Sequence, residues 1–292
     1  MIEEHVALSR FTTLGTGGPA RWFARPETVD ELVRLLAWAE ERGAPVAPVG
    51  LGSNLLAADE GFEGLALKLA GELAAATAED GLLRAGGGAP LAVCLHRARA
   101  AGLGGLEFVC AIPGTVGGGV WMNAGAYGGD IAGVLERALV AGAAGGDWLT
   151  PAELGLDYRR SGLRPGAVVA EAVFRLRPRP VEEIKATVAD MQARRKAAQP
   201  TNKRTFGSVF KNPEHQLTAG RMLEACGLRG HRSGGAQISP KHANFIENAG
   251  DARSADAVAL VAEARRRARD RFGVVLVPEV QLLGPIEIPP LA

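Results

Sequence analysis

Residues 111–130, AIPGTVGGGVWMNAGAYGGD, contain seven glycines and a single charged residue, Asp130. Glycine adopts positive φ without strain and lets the main chain approach a ligand closely. Successive backbone amides exposed in this way form concave binding sites for anions. The stretch therefore predicts a loop that binds a phosphate group.

A second loop, GLGSNLL at residues 50–56, can also present main-chain amides and small hydroxyls. Two such loops could hold the two phosphates of one dinucleotide. A Walker loop is excluded, because no glycine in the chain is followed by lysine. Gly15, Gly17 and Ala20 have the spacing of a dinucleotide fingerprint, but Pro19 and the aromatic RWF that follows do not open a helix.

Glu279 is a further candidate, because it lies between Pro278 and the apolar run VQLL. An acid without a partner is costly in such surroundings, so its presence favours a role in a site. The three cysteines form no CxxC pair and the five histidines form no HxxxH pair. No metal site is predicted.

Composition limits the class of protein. A chain of 292 residues that is 47% hydrophobic and 22% charged can form two or three domains. The net charge of +1 predicts no nucleic-acid or anionic-membrane partner, and the odd number of cysteines favours a reducing, cytoplasmic location. The uncharged run 108–129 is long enough to cross a bilayer, but its glycines disfavour a helix.

The elements that position these loops follow from periodicity. Thr28 and Glu31 form a capping box that begins a helix within 26–43. PVAPVG and GLALKLAG read as strands on either side of the first loop, and a hairpin is predicted around Asp80-Gly81. A helix from Pro90 to about Gly102 precedes the glycine-rich stretch.

The second half of the chain begins with strands. Residues 133–177 read as short strands around turns at Gly145-Gly146 and Pro165-Gly166, and a boundary follows at 178–180. Helices are then predicted for VEEIKATVADMQARRKAAQ, QLTAGRMLEACG and 254–272, with TNKRTFGSVFKNP as a loop and GGAQIS and ANFIEN as strands. The arginines at 265–267 are interpreted as a solvated helix face, and VVLVPEVQLLG as a strand pair interrupted at Pro278.

Six segments together resemble the UDP-N-acetylenolpyruvoylglucosamine reductases, flavoenzymes that complete UDP-N-acetylmuramate for bacterial cell-wall synthesis. The segments are LGSNLLAADEGFEG, IPGTVGGGVWMNAGAYG, DYRRSGLR, GSVFKNP, AQISPKHANFIEN and PEVQLLG. The resemblance spans nearly the whole chain. It implies an α+β protein with non-covalent FAD, with NADPH as hydride donor and with a nucleotide-sugar substrate.

The resemblance also implies three domains. Lobes 1–68 and 69–178 form an FAD-binding region of the vanillyl-alcohol-oxidase-like type, and 179–292 form an α+β substrate domain whose last strand can return to the first lobe. The implied cofactor contacts are Gly50, Gly52, Ser53, Asn54, Leu55, Ile112, Pro113, Gly114, Thr115, Gly117, Gly118, Asn123, Ala124, Gly125 and Tyr127. The implied substrate contacts are Tyr158, Lys211, Asn212, His242 and Asn244.

The implied reaction passes a hydride through the flavin to the terminal CH₂ of the enolpyruvyl group. Arg159 would neutralise the charge that develops toward the carboxylate, and Ser208 would deliver a proton to the neighbouring carbon. Glu279 would polarise the same group, which requires a proton on it or a nearby cation. From the residues alone, Arg159 also reads as a surface residue, Ser208 as a turn residue, Lys211 and Asn212 as a solvated turn, and His242 as a structural histidine.

Two departures from the family pattern stand out. Phe11 precedes Thr12 and Thr13, where the family usually has Asn-Thr, so this contact beside the flavin is open. Only 14 residues run from Ser161 to Phe174, and the only two tyrosines lie in other motifs, which predicts the branch without an inserted lid.

Two alternative functions stay open. One is an FAD oxidase of a sugar or alcohol on the same fold, although residues 44–62 contain no His or Cys to tether flavin covalently. The other is a nucleotide-binding module without turnover. A monomer that binds neither nucleic acid nor membrane is expected in each case.

Overall fold

The computed structural model describes residues 1–291, which form two compact units. Unit 1 consists of Met1–Glu4, Trp22–Leu51 and Gly64–Arg195, and unit 2 of His5–Arg21, Gly52–Glu63 and Lys196–Ala292. Helices and strands are mixed throughout both units, which confirms the predicted α+β class. No helix among the described residues is both long and apolar enough to cross a membrane.

Six α-helices are present in residues 1–291: α1 (Val29–Glu41), α2 (Leu91–Ala100), α3 (Val116–Trp121), α4 (Val181–Ala198), α5 (Ala219–Ala225) and α6 (Ser254–Phe272). Three short 3-10 helices cover Leu8–Arg10, Gly71–Ala74 and Glu107–Ala111.

The strands are short, and the longest have eight residues. They are β1 (Ile2–Ala7), β2 (Pro19–Ala24), β3 (Val46–Pro48), β4 (Leu55–Ala57), β5 (Phe62–Leu67), β6 (Ala76–Glu79), β7 (Leu82–Gly86), β8 (Leu103–Gly104), β9 (Gly125–Ala126), β10 (Gly129–Asp130), β11 (Leu135–Gly142), β12 (Gly145–Leu149), β13 (Val168–Arg175), β14 (Arg177–Pro178), β15 (Thr205–Ser208), β16 (Arg232–Ser233), β17 (Ala236–Ile238), β18 (Phe245–Asn248) and β19 (Gln281–Leu283).

The main sheet of unit 1 has the order β12-β11-β13-β7-β6 and is antiparallel throughout. Its hairpin β6-β7 turns at Asp80 and Gly81, which both have positive φ, as predicted. Helices α2 and α3 pack their apolar residues with those of the sheet in one core cluster that includes Leu91, Val116 and Phe174. The sheet and α2 thus support α3, which lies in the glycine-rich stretch.

A second core in unit 1 forms around α1 and the parallel pair β3-β5. The Thr28 hydroxyl caps α1 by accepting from the Glu31 amide at 3.2 Å, as the capping box predicts. The Glu31 carboxylate accepts from the Glu27 amide, one residue before the predicted Thr28 partner. Because β3 and β5 are parallel, the residues after Pro48 and Leu67 emerge at the same edge.

Unit 2 is built on the antiparallel sheet β15-β18-β17-β16 and on helices α5 and α6. Its core cluster includes Leu14 and Leu56 from early in the chain together with residues from 206 onwards. The Asp59 carboxylate accepts from the amides of Ser254 and Ala255 at the start of α6, an end where negative charge is stabilising. Strand β19 pairs in parallel with β4.

Three local predictions were wrong. The segment predicted as a loop at 201–213 contains strand β15, because Thr205–Ser208 pairs with β18. The run VVLV before Pro278 forms no strand, and only a single bridge joins Pro278 to Phe210. The hairpin β11-β12 turns at Ala143 and Ala144, so that Gly145 and Gly146 begin β12. The predicted three-domain division, with limits at 68 and 178, remains a prediction.

Candidate active site

The glycine-rich stretch begins with an ordered approach to α3. The carbonyl of Gly114 accepts from the Leu91 amide at 3.0 Å, which ties the segment Ile112–Gly114 to the start of α2. Thr115 is the N-cap of α3, and its hydroxyl accepts from the Gly118 amide at 3.4 Å. A side chain on Gly118 would meet only the Thr115 hydroxyl, at 3.7 Å, so Gly118 leaves room beside the helix.

Three consecutive glycines, residues 86–88, pack their backbone against α3. The Gly117 amide donates to the Gly87 carbonyl at 2.7 Å. A β-carbon on Gly87 would lie 1.8 Å from the Val169 carbonyl oxygen, and one on Gly117 would lie 3.0 Å from the Gly87 oxygen. Gly87 therefore has no room for a side chain, and Gly117 packs tightly against the backbone of Gly87. Sequence reasoning missed residues 86–88, although three consecutive glycines before a helix are a usable signal.

Asn123 organises the loop that follows α3. It is 3% exposed and has φ of +39°. Its Oδ1 accepts from the Ala132 amide at 2.9 Å, and its Nδ2 donates to the Asp157 carbonyl at 3.2 Å and to Asp130 Oδ2 at 3.4 Å. Asn123 thus fixes the positions of the protein segments around it, and its predicted cofactor contact, like that of Ala124, stays a prediction.

Tyr158 and Arg159 occupy a tight turn. Asp157 and Arg160 close the turn through two backbone hydrogen bonds of 3.1 Å. The Asp157 carboxylate also accepts from the Tyr158 amide at 2.7 Å and from the Arg160 guanidinium at 2.5 Å and 3.0 Å. The carboxylate of Asp157 therefore holds the turn that presents the two predicted residues, a role that sequence reasoning missed.

Arg159 itself has φ of +54°, an uncommon conformation for a residue with a side chain. Its guanidinium donates to the Gly125 carbonyl at 2.5 Å and to the Asn123 carbonyl at 3.5 Å, and lies 5.0 Å from the Tyr158 ring. Such strain persists only where the surroundings impose it, and it is found mostly at functional sites. Unit 1 thus brings Arg159, Asn123 and Gly125 together.

Tyr127 points toward helix α4. Its hydroxyl donates to the Met191 carbonyl at 3.0 Å, and its ring lies 4.6 Å from the Arg194 guanidinium. These contacts give Tyr127 a part in holding the glycine-rich loop against α4. Its predicted contact with the cofactor stays a prediction.

The first loop begins in unit 1 with Gly50, which has φ of +49°. A β-carbon on Gly50 would lie 3.0 Å from the Thr115 hydroxyl, so the two predicted phosphate loops meet at this point. The Lys68 ammonium donates to the Gly50 carbonyl at 2.6 Å. Sequence reasoning missed Lys68, although a lone cation in the apolar run GLALKLAG is a usable signal.

The loop continues in unit 2, where Gly52 has φ of +63°. A β-carbon there would lie 1.9 Å from the Phe11 carbonyl oxygen, and Thr13 donates to the Gly52 carbonyl from its amide at 3.1 Å and its hydroxyl at 3.2 Å. The segment that contains Phe11, which departs from the family pattern, therefore contacts Gly52 through its backbone atoms. Ser53 lies beside Gly207, whose β-carbon would be 3.2 Å from the Ser53 carbonyl oxygen.

Asn54 is bonded to Glu279. The Asn54 side-chain amide donates to the Glu279 carbonyl at 3.1 Å, and the Gln281 side-chain amide donates to the same oxygen at 3.0 Å. The Gln281 backbone amide donates to the Asn54 carbonyl at 2.9 Å, just before Leu55 pairs with Gln281 in the β4-β19 ladder. Asn54 and the unpredicted Gln281 thus fix the backbone of Glu279.

Ser208 ends strand β15, directly after a β-bulge at Gly207 with φ of +82°. The next residue, Val209, donates its amide to the Asn244 carbonyl at 2.9 Å and accepts from the Glu279 amide at 2.8 Å. Unit 2 therefore brings Ser208 and Glu279 onto neighbouring backbone segments. Arg159 belongs to unit 1.

The remaining predicted substrate contacts in unit 2 have structural bonds of their own. The side chain of Asn244 is buried and bonds to the backbone of Phe210. Its Oδ1 accepts from the Phe210 amide at 3.0 Å, and its Nδ2 donates to the Phe210 carbonyl at 2.9 Å. Asn212 Oδ1 accepts from the Ala219 amide at 3.2 Å, at the start of α5. The Lys211 amide donates to the Val277 carbonyl at 2.9 Å. Substrate contact by Asn244, Asn212 and Lys211 stays a prediction.

His242 is held as a neutral ring. Burial lowers the pKa of the imidazole below its usual 6.5, and the positive charge of Arg229 lowers it further. Its Nδ1 accepts from the Asn244 amide at 3.2 Å, which leaves Nε2 as the protonated donor. The ring packs edge-on against Phe245 at 5.0 Å. A neutral N–H donor of this kind can serve a substrate oxygen, which stays a prediction.

These groups fit an anionic dinucleotide. Gly118 leaves room beside α3, the Thr115 hydroxyl lies close to Gly50 of the first loop, and the Lys68 cation is bonded to the Gly50 carbonyl. Backbone amides, a hydroxyl and a cation are the groups that hold phosphates in proteins. Phosphate binding by the two loops stays a prediction.

Comparisons with known proteins give the family. The family model of the FAD binding domain matches residues 20–143, and that of the UDP-N-acetylenolpyruvoylglucosamine reductase C-terminal domain matches 199–283. The UDP-N-acetylenolpyruvoylglucosamine reductase 2 of Symbiobacterium thermophilum is 45% identical over 279 residues, which cover 95% of this chain and 90% of that protein. A reductase of Anaeromyxobacter dehalogenans is 44% identical over 279 residues, 96% of this chain and 84% of that protein.

A solved structure agrees with the sequence relatives. The crystal structure of the reductase from Thermus caldophilus superposes with a TM-score of 0.84 at 39% identity, and the match covers 97% of this chain and 100% of that one. The match to the FAD binding domain at 20–143 includes both glycine-rich loops. The chain therefore belongs to the UDP-N-acetylenolpyruvoylglucosamine reductase family.

Proposed function

We propose that this protein reduces the enolpyruvyl group of UDP-N-acetylglucosamine enolpyruvate to give UDP-N-acetylmuramate, a step of peptidoglycan precursor synthesis. NADPH is the reductant and non-covalent FAD the cofactor. Family membership supports the reaction class. The observation that carries the assignment of residues is the 2.8 Å hydrogen bond from the Glu279 amide to the Val209 carbonyl, since it puts Glu279 beside Ser208.

The glycine-rich loops at 50–56 and 111–130 would hold FAD, which when bound would supply hydride transfer from NADPH to the terminal CH₂ of the substrate. Negative charge then develops on the neighbouring carbon and in the carboxylate attached to it. Arg159 pairs with this carboxylate, because its planar guanidinium matches the two oxygens and keeps its charge at any working pH. The Gly125 and Asn123 carbonyls hold the guanidinium in place before the charge develops.

Ser208 donates its hydroxyl proton to the carbon next to the carboxylate. A hydroxyl is a weak acid, so the proton moves only as the carbon becomes strongly basic. Glu279 hydrogen bonds to the same carboxyl group as its protonated form, or acts through a neighbouring cation. The side-chain amides of Asn54 and Gln281 hold the backbone carbonyl of Glu279.

The nucleotide part of the substrate is bound by the remaining predicted polar residues. We assign Lys211 and Asn212 to the diphosphate, and Tyr158 and the neutral His242 ring to the sugar or base. Asn244 supports these residues: its side chain holds the backbone of Phe210, two residues after Ser208, and its backbone amide donates to His242.

The protein is proposed to work as a cytoplasmic monomer. Both NADPH and nucleotide sugars are cytoplasmic compounds, and the formal charge of +1 offers no general attraction to nucleic acid or anionic membrane. Size-exclusion chromatography with light scattering tests the monomer, and a mass of twice 30.4 kDa would contradict it.

The experiment separates the two half-reactions. Ser208→Ala should bind flavin and be bleached by NADPH at the wild-type rate, because neither step needs the proton. Reoxidation by substrate without oxygen should slow about 10²-fold, the loss typical of a positioned acid. Stopped-flow absorbance near the flavin maximum resolves the two rates. Ser233→Ala, in β16 of the same sheet, is the matched control and should leave both rates unchanged.

Other outcomes contradict specific parts of the proposal. Equal slowing of both half-reactions would make Ser208 a residue that shapes the flavin site. Unchanged rates in both would assign the proton to another group. A wild-type protein whose flavin is reduced by sugars or alcohols, and not reoxidised by the enolpyruvyl substrate, would be an oxidase.

A further inference from the structure

Lys68 lies at the edge of a parallel strand pair where a ligand is expected to bind. Strands β3 and β5 are parallel, and Gly50 and Lys68 follow their carboxyl ends. The Val49 amide donates to the Leu67 carbonyl at 2.9 Å, which continues the pairing up to this edge. Ligands of open parallel sheets bind outside the carboxyl ends of the strands. The parallel pair therefore places Gly50 and Lys68 side by side at this edge.

The Lys68 ammonium is fixed at that edge. Its Nζ donates to the Gly50 carbonyl at 2.6 Å, and its backbone amide donates to the Ala24 carbonyl at 3.0 Å. The residues before it, Leu65–Leu67, are fully buried. Lys68 itself is half-buried, so its side chain has little freedom to leave the loop.

Both predicted phosphate loops meet at the residue that Lys68 holds. Gly50 approaches Thr115 so closely that a β-carbon would lie 3.0 Å from its hydroxyl. That hydroxyl also accepts from the Gly118 amide at 3.4 Å. One cation, one hydroxyl and the backbone of two glycine-rich segments therefore converge within unit 1.

The surroundings of Lys68 disfavour its positive charge in the protein alone. Its pKa lies below the usual 10.5, first because burial removes water from the ammonium and second because the Arg25 cation is close. A bound anion reverses both effects, since it replaces the lost solvation and offsets Arg25. Groups whose charged form is disfavoured by burial and by a neighbouring like charge are typical of ligand sites.

We propose that the Lys68 ammonium is a specificity-determining group of the cofactor site and pairs with the diphosphate of the dinucleotide. This inference rests on the proposed FAD-dependent function. It makes the chain select dinucleotide over flavins that lack a diphosphate, through a cation held in place by the Gly50 carbonyl.

The test measures flavin affinity rather than turnover. Apoprotein is titrated with FAD and with riboflavin, which has no phosphate, and binding is followed by flavin fluorescence. Lys68→Gln keeps an N–H donor for the Gly50 carbonyl and removes the charge. We expect it to weaken FAD binding about 10- to 100-fold, the range of a charge-assisted hydrogen bond, and to leave riboflavin affinity unchanged.

Two further variants complete the design. Lys68→Arg retains the cation and should bind FAD within a few-fold of wild type. Lys185→Gln, an exposed lysine of α4 paired with Glu182, is the matched control and should change neither affinity. The FAD affinity of wild type should also fall more steeply with salt than that of Lys68→Gln, because one ionic contact is missing in the variant.

Failure of the inference is distinct from failure of the function. Unchanged FAD affinity in Lys68→Gln, or equal weakening of FAD and riboflavin, overturns the role of Lys68 while the protein remains a flavoprotein. A wild-type protein that binds neither flavin overturns the proposed function itself.

Discussion

Arg159, the proposed partner of the substrate carboxylate, is held in a strained backbone conformation. Its positive φ is imposed by the Asp157–Arg160 turn, and its guanidinium is held by the carbonyls of Gly125 and Asn123. A group fixed in this way needs no reorganisation when charge develops on the substrate.

Replacing Arg159 tests this preorganisation. Arg159→Ala should lower kcat about 10²-fold or more while changing KM less, because the interaction is made mainly in the transition state. Steady-state kinetics of the purified enzyme give both constants. Arg164→Ala, an exposed arginine of the following loop, is the control and should behave as wild type. A near-normal kcat for Arg159→Ala would reduce Arg159 to ordinary substrate binding.

Gly87 provides a second test at the residue scale. Gly87→Ala would put a β-carbon 1.8 Å from the Val169 oxygen, so β13 or the support of α3 must move. We expect a lower Tm and weaker FAD binding, measured by thermal unfolding and flavin fluorescence. Gly119 lies within α3, and a β-carbon added there would meet its nearest neighbours at 3.6 Å, an ordinary contact distance. Gly119→Ala should therefore leave Tm unchanged or raise it slightly. Equal Tm values for the two variants would contradict this account.

The sequence predicted types of residue better than their contacts. The glycine density at 111–130 predicted a loop whose backbone amides bind a phosphate group, which stays a prediction. The sequence could not indicate that a β-carbon on Gly52 would clash with the Phe11 carbonyl, or that Gly117 packs tightly against the Gly87 carbonyl, because these partners are far away in the sequence. Asp157 and Gln281 were missed for a different reason: each lies close to a predicted residue in the sequence, but its side chain bonds to that residue's backbone, which no motif marks.

At the scale of elements, helices with clear caps were predicted closely, and segments without periodicity were not. Thr28 and Gly43 bounded α1, and α6 covers the predicted 254–272. Strand β15 is only four residues long, contains a bulge and lies among polar residues, so no alternation marked it. Its formation depends on pairing with β18, which sequence proximity does not reveal.

The arginine cluster of α6 corrects another interpretation at this scale. The Arg267 guanidinium donates to the Cys226 carbonyl at 3.4 Å, and Arg271 donates to the Ala225 carbonyl, at the end of α5. Arg265 donates to the carbonyls of Leu276 and Pro289. Instead of forming a purely solvated face, these arginines tie α6 to the end of α5 and to the chain that follows. Cations at a helix C-terminus also stabilise its dipole.

Asn244 connects elements in a way that can be measured. Asn244→Ala leaves both the amide and the carbonyl of Phe210 without their side-chain partner in a buried position. The expected loss of unfolding free energy is about 2–4 kcal/mol, measured by urea denaturation. Because the same segment carries Ser208, reoxidation by substrate should slow as well. Asn202→Ala, at an exposed turn, is the control. A loss below about 0.5 kcal/mol would contradict the structural role.

At the scale of the whole molecule, stability should depend on pH through His242. Its folded-state pKa is lowered, so the unfolded chain takes up a proton more readily than the folded chain as pH falls through 6.5. The neutral ring's contribution to stability is therefore complete above 6.5 and decreases below that value. Urea denaturation at pH 7.5 and 5.5 should show a smaller pH effect in His242→Asn than in wild type. An equal effect would contradict this assignment.

The cofactor should also stabilise the molecule as a whole. Purified protein should be yellow, and acid precipitation should release the flavin into the supernatant, because no covalent tether is predicted. Free FAD at 100 times its Kd adds about 2.7 kcal/mol to the unfolding free energy, so Tm should rise as FAD is added to apoprotein. Riboflavin at the same concentration is the control and should raise Tm less. Colour that stays with the pellet would contradict non-covalent binding.

The pairing of β4 with β19 makes folding of unit 2 a late event. More than two hundred positions separate Ala57 from Gln281, and Leu14 and Leu56 belong to a core whose other members begin at Phe206. Contacts so distant along the chain slow folding, because the entropy of closing a large loop is lost before the strands can pair and stabilise the fold. During synthesis, Leu14, Leu56 and the open edge of β4 must wait for partners made much later. Nascent chains of this protein are therefore expected to depend on chaperones that shield apolar segments until β19 has been translated.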